Sequence, residues 1–185
     1  MPVWTFKLDE DTGVGKAALD QLSLIAGGVE GIRIEEDAGN LLVINNGGIY
    51  GVMSVQTGVT GEATVDGTPR KIAAFNTNGV SNGVTVDNTS DDITCTTTGT
   101  YLINASVSFS GSNSATYDIE LYKNAAATGF AFQRKLGTGG DVGNSTITGI
   151  VNCAADTDTF SLYQSSDGSA MTVTEAQLTV HRISQ

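Results

Sequence analysis

The chain has 185 residues, enough for one full domain with a smaller piece beside it and too few for two large domains. Its 20 acidic residues against 9 basic ones give a formal net charge of −11, a surface that repels phosphates, so nucleic acid is not expected as a partner. Only 16% of the residues are charged and 23 are glycine against 2 prolines, so exposed strand faces must be covered by Ser, Thr and Asn and joined by tight turns.

Residues 1–28 differ in texture from everything after them. Val3-Trp4-Thr5-Phe6-Lys7-Leu8 alternates in character but is too short to stand alone. It reads as an exposed arm in which Trp4 and Phe6 either dock onto a partner or fold back on their own domain. Asp9-Glu10-Asp11-Thr12-Gly13-Val14-Gly15-Lys16 superficially resembles a phosphate loop or a calcium loop and fits neither spacing, so it reads as a solvated loop. Leu19, Leu22 and Ile25 lie three residues apart, with Gly27 and Gly28 beyond them as a stop signal, and predict a short helix within residues 16–26. Trp4, Phe6, Leu19, Leu22 and Ile25 are the candidate attachment residues, because a small piece cannot bury so much apolar surface by itself.

Short strands are predicted at residues 32–34, 41–44 and 49–55, separated by the turn segments Ala38-Gly39-Asn40 and Asn46-Gly47-Gly48. A Gly/Thr-rich stretch over residues 58–69 has little apolar content and reads as a linker. It divides an N-terminal region, residues 1–68, from a main domain, residues 69–185.

Beyond the linker the period of two is strong. Tyr101, Ile103, Ala105, Val107 and Phe109 are apolar at every odd position, whereas Asn104, Ser106, Ser108 and Ser110 fill even ones, so one face is core and the other is wet. Tyr117, Ile119 and Leu121 repeat the pattern, as do Ile147, Val151 and Cys153, then Phe160 and Leu162, then Ala176, Leu178 and Val180. Strands at this spacing predict a mainly β sandwich or barrel. Cys95 and Cys153 each stand where an apolar strand residue is expected, and read as buried free thiols rather than a disulfide.

Chemistry-bearing patterns are sparse. His181 is the only histidine, which excludes a multi-histidine metal site, and within an alternating strand it reads as an exposed or interface residue rather than a general base. No Gly-x-Ser-x-Gly elbow is present and neither cysteine has an activating context. Glu35-Glu36-Asp37 and Asp91-Asp92 read as turn or surface carboxylates, with a weak calcium site at a subunit interface as the alternative. No enzymatic activity, no cofactor and no resident metal are expected. No apolar run approaches the roughly 18–20 residues of a membrane span and the N-terminus lacks a leader pattern, so a soluble chain made in a cytoplasm, without a membrane partner, is expected.

The order of segments resembles the C1q/TNF-like jelly roll carried by bacteriophage surface proteins. The phrases that carry the resemblance are Pro69-Arg70-Lys71-Ile72-Ala73-Ala74-Phe75 as a first strand, Gly99-Thr100-Tyr101-Leu102-Ile103 as the Gly-x-Tyr strand, and Leu121-Tyr122-Lys123-Asn124 as the Leu-x-x-Asn hairpin. Ser145-Thr146-Ile147-Thr148-Gly149-Ile150-Val151 follows, then Ala154-Ala155-Asp156-Thr157-Asp158 before a strand, and Ala176-Gln177-Leu178-Thr179-Val180-His181-Arg182-Ile183 as the closing strand. The resemblance spans residues 69–185. Asp156-Thr157-Asp158 replaces the Gly-Asp turn usual in the family, which removes support for a metal role there.

This resemblance implies a tight homotrimer. It also implies a non-enzymatic virion protein, a capsid decoration or head fibre displayed at the virion surface. Its N-terminal region would grip the major capsid protein or another virion protein, with the jelly roll facing outward. The alternative is the receptor-binding tip of a tail fibre, recognising a host surface glycan or protein, for which Phe130 and Phe132 are the aromatic candidates outside clear strands. The start at Met1 and the lack of a long repetitive shaft favour the decoration protein. The lack of a leader counts against a secreted C1q-like lectin.

Overall fold

The computed structural model describes residues 2–6, 9–15, 21–26, 28–37, 40–45, 48–56, 60–61, 67–167 and 170–184. Its chain divides into two compact units, Met1–Gly48 and Ile49–Gln185.

The first unit is an antiparallel meander. β1 (Pro2–Phe6), β2 (Asp9–Gly15), β3 (Gln21–Ala26), β4 (Val29–Asp37) and β5 (Asn40–Asn45) pair in chain order. Two expectations fail here, and the arm takes the second of its two readings, its backbone folding back on its own unit. The arm is not free, since β1 pairs with β2 through Trp4↔Val14 and Phe6↔Asp9. Residues 9–15 are a strand and not a solvated loop. Gln21–Ala26 is likewise a strand, where a helix was expected, and residues 16–20, including Leu19, lie outside the described residues. The physical reason is common to all three: partners on both sides complete the backbone hydrogen bonds of β2 and β3, and that pairing overrides weak local preference.

The second unit contains β6 (Tyr50–Val55), β7 (Thr60–Gly61), β8 (Arg70–Lys71), β9 (Thr77–Asn82), β10 (Val84–Asp87), β11 (Asp92–Cys95), β12 (Gly99–Ser110), β13 (Thr116–Lys123), β14 (Ala126–Lys135), β15 (Val142–Cys153), β16 (Thr159–Ser166) and β17 (Thr172–Ser184). One sheet runs β10-β11-β16-β13-β14, with β8 also on β16; the other runs β15-β12-β17-β6-β9, with β7 also on β17. From β11 onward the chain passes back and forth between the sheets, breaking the alternation only at the β13–β14 hairpin, and so wraps a jelly roll around one core. Among the described residues no helix occurs.

Alternation dictates that core. Tyr101, Ile103, Ala105, Val107 and Phe109 point inward from β12 and are buried against Tyr117, Ile119 and Leu121 of β13, Phe160 and Leu162 of β16, and Ala176, Leu178 and Val180 of β17. Rings interlock across the layers: Phe109 meets Tyr117 edge-on at 5.2 Å between centroids, and Tyr101 tilts against Phe160 at 6.1 Å. The two buried phenols keep polar partners, Tyr101 donating to Thr97 O at 2.7 Å and Tyr117 to Ala170 O at 3.1 Å.

Two further readings are corrected. The first large strand of the jelly roll is β6, which lies beside β17 in the register Leu178↔Met53 and Val180↔Gly51, and not residues 69–75. Of the latter only Arg70–Lys71 is strand, while Ile72, Ala74 and Phe75 are buried outside any strand. The cysteines are buried as expected but are paired: Cys95 at the end of β11 and Cys153 at the end of β15 form a disulfide between the two sheets, Cα to Cα 6.8 Å. Local alternation shows that each side chain points inward. It does not show that they face one another across 58 residues of chain.

Close to the disulfide, Asp158 organises two turns. It accepts from Asn124 Nδ2 at 2.6 Å and from the amides of Ala154 and Ala155 at 2.8 and 3.2 Å, and pairs with Lys123 Nζ at 2.9 Å. Asn124 and Ala125 adopt φ of 51° and 60°, a two-residue hairpin turn joining β13 to β14 whose left-handed backbone the Asp158 contact secures. Asp91 and Asp92 are structural as well. Asp91 is buried and accepts from Phe75 N at 3.1 Å, and Asp92 pairs with Lys71 at 2.7 Å.

Candidate functional site: an uncharged sheet face

The outer face of the β15-β12-β17-β6 sheet forms a grid of four rows, fixed by strand register. Tyr50, His181, Leu102 and Ile150 make one row, followed by Val52, Thr179, Asn104 and Thr148. Ser54, Gln177, Ser106 and Thr146 come next, then Glu175, Ser108 and Asn144, with Gln56 continuing β6 beyond its last paired residue. Each of these side chains is exposed or half-buried. They are outward because their strand neighbours are taken up by the core, the same period-two argument read from the other side.

Only Glu175 and His181 on this grid are ionisable acids or bases apart from the phenol of Tyr50, in a chain of net charge −11. The first row is the most apolar, with Ile150 57% and Tyr50 41% exposed. The rest is hydroxyl and amide, some of it already satisfied internally: Thr148 Oγ1 donates to Asn104 Oδ1 at 2.9 Å. Two shallow hollows of about 520 and 280 Å³ lie along it, the larger bordered by Gln56, Ser106, Ser108, Asn144, Glu175 and Gln177. Such a face has few charges to desolvate and many short polar groups able to pair across a contact.

The residues chosen from sequence as attachment contacts do not form one stripe. Trp4 and Phe6 lie in β1, at register positions opposite Val14 and Asp9, and Leu19 lies outside the described residues. Leu22 and Ile25 fall on opposite faces of β3. What Leu22 joins instead is a patch with Val14, Leu24, Ile32 and Ile34, set by the pairs Val14↔Leu24, Leu24↔Ile32 and Leu22↔Ile34. Leu22 and Leu24 are 47% and 48% exposed, Val14 36% and Ile32 39%. Val14, Leu24 and Ile32 were not singled out from sequence, although Leu22/Leu24 and Ile32/Ile34 alternate as strand positions do.

Phe130 and Phe132 are not loop aromatics. Both lie in β14, half-buried against the core, and Gly149 leaves room for the Phe130 ring, which a Cβ there would meet at 2.7 Å. The candidate reactive groups are also placed structurally: both cysteines are in the disulfide, and His181 sits between Tyr50 and Leu102 on an exposed sheet face. Among the described residues no cluster of three or more His, Cys, Asp or Glu side chains is placed to hold a metal ion.

Two six-stranded layers, a wrapped connectivity and a closing strand in the middle of one layer define a C1q/TNF-like jelly roll. The fold is shared with an Eiger TNF from S. frugiperda, with a TM-score of 0.54 at 12% identity over 75% of this chain and 94% of that one. It is shared as well with the PRD1 vertex protein P5, with a TM-score of 0.50 at 17% identity over 86% of this chain and 85% of that one. No protein-family model matches the sequence, and no curated protein matches it. At these identities the likeness defines the fold.

Proposed function

We propose that the protein is a non-enzymatic homotrimeric structural protein of a virus particle, a capsid decoration or head-fibre protein, held at the virion surface by its N-terminal region with the jelly roll facing outward. The observation that carries this reading is the nearly uncharged outer face of the β15-β12-β17-β6 sheet, since a strongly acidic chain that leaves one face almost free of charge, with Glu175 its one acid, has a surface fitted to other copies of itself. Support for a virion role comes from the fold shared with a vertex protein. The tail-fibre tip is the weaker reading, because Phe130 and Phe132 are taken up beside the core.

Light scattering tests it. The intact protein is expected to have three times the chain mass at micromolar concentration, and Gln177→Lys, at an exposed position in the middle of the face, is expected to lower that mass while leaving the fold intact by circular dichroism. A wild-type mass equal to one chain overturns the proposal.

A further inference from the structure

We infer that the apolar face of the N-terminal sheet, Val14, Leu22, Leu24, Ile32 and Ile34, closes against the same face of other copies of this chain. The inference rests on the homotrimer proposed above and adds a second contact to it, within the unit formed by residues 1–48.

The meander offers one sheet with an aliphatic patch at its centre. Leu24 lies in the middle of the row Trp4, Val14, Leu24, Ile32 and Asn45, and Leu22 and Ile34 lie in the next. Exposure of 36–48% at Val14, Leu22, Leu24 and Ile32 shows that the described residues of the N-terminal unit do not cover them. A sheet with one apolar face requires a second layer.

Size selects the occupant. Five strands at about 4.8 Å spacing and six residues at about 3.3 Å give a face of roughly 24 by 20 Å. Two such faces in contact bury about 1,000 Å², short of the ~1,200–2,000 Å² of an interface that holds free partners together. A face this small is covered only by a partner already held nearby. The jelly-roll trimer holds two further copies of the same face on short connections, at an effective concentration in the millimolar range. Charge offers no pull toward a different, acidic-seeking partner at the centre, since these five side chains are all aliphatic; the acids of β2 and β4 flank them in sequence at Asp9, Glu10, Asp11, Glu35, Glu36 and Asp37. Copies of a chain of net charge −11 repel one another, so salt should tighten this contact, whereas it would loosen a contact with a basic partner. Particle contact is then left to the rest of the unit.

Leu24→Cys in the full chain tests the inference. Cys95 and Cys153 are joined, so residue 24 carries the one free thiol. In the free trimer a short bis-maleimide should join two chains through residue 24. A monofunctional maleimide should label Leu24→Cys at least about tenfold more slowly than Val29→Cys, at the exposed first position of β4 in the same unit, and added salt should increase the protection. Adding Leu22→Asp should restore fast labelling. A protein that scatters as a trimer, yet labels equally fast at both positions and gives no cross-link, overturns the inference and leaves the trimer standing. A thiol open in the free trimer and protected only on particles also overturns it, by making the particle the occupant. A protein that scatters as one chain overturns both.

Discussion

Asp158 is the carboxylate on which the turns at one end of the sandwich depend. Burial raises its pKa, but the hydrogen bonds from the Lys123 and Asn124 side chains and from the amides of Ala155 and Ala154 outweigh burial and hold it well below the usual carboxylate range. A carboxyl whose folded pKa is depressed contributes stability that is complete above its unfolded pKa, about 3.9, and is lost as pH falls from there toward the folded value. The urea midpoint of the wild type is therefore expected to fall steeply below about pH 4. Asp158→Asn should be less stable at pH 7, by about 1–3 kcal/mol for the groups left without their charged acceptor, and should show a shallower acid slope. Parallel acid slopes for the two proteins would exclude Asp158 as the titrating group. The hub itself could not be read from the sequence. Asp156-Thr157-Asp158 is legible as a turn, but that the turn reaches Asn124, whose hairpin lies 34 residues earlier, is a consequence of the fold.

Between elements, the disulfide ties β11 in one sheet to β15 in the other. A loop of 58 residues closed in the unfolded chain corresponds to about 4 kcal/mol in the chain-entropy account, within a measured range of about 2–5. The double variant Cys95→Ala/Cys153→Ala is expected to lose stability of that order and to keep its strand content, checked by chemical denaturation and circular dichroism. Superposed denaturation curves would show that the bridge adds nothing. The same non-local geometry explains which elements were legible. The phase of β12, β13, β16 and β17 is local, repeats every two residues and was read correctly from Tyr101 through Val180. The allegiance of β6 was not, because a strand at residues 49–55 is visible in sequence while its partner, β17, stands more than a hundred residues later. Leu19, Leu22 and Ile25 fit a helical spacing, and Leu22 and Leu24 fit a strand equally well; pairing to β2 and β4 decided between them. For the candidate face, the polar positions Asn104, Ser106 and Ser108 were recognised as wet, but its lack of charge emerges only when the registers of four strands are laid side by side.

At the scale of the whole molecule, the proposed function assigns folding to residues 49–185 and attachment to residues 1–48, the two compact units of the chain. The unit formed by residues 49–185 owns the buried core, with Met53 and Val55 of β6 contributing to it, so a chain beginning at Ile49 retains every strand of the jelly roll, whereas one beginning at Pro69 loses β6. The unit formed by residues 1–48 is smaller than domains that fold unaided commonly are, and it leaves Leu22 and Leu24 about half exposed. In the proposed trimer three such units, their aliphatic faces turned on one another, would engage a symmetric site through their remaining surface with an avidity gain of about 10²–10⁴ over one unit alone, where geometry allows all three to bind. The chain shortened to residues 49–185 is therefore expected to remain a soluble trimer by light scattering, with a cooperative thermal transition, and to fail to co-sediment with particles that the full chain decorates. The chain shortened to residues 69–185 should lose the cooperative transition, because removing β6 exposes one side of β17 along the register from Ala176 to His181. If residues 49–185 still decorate particles at full occupancy, attachment lies in the jelly roll, and the N-terminal sheet is the end that faces outward.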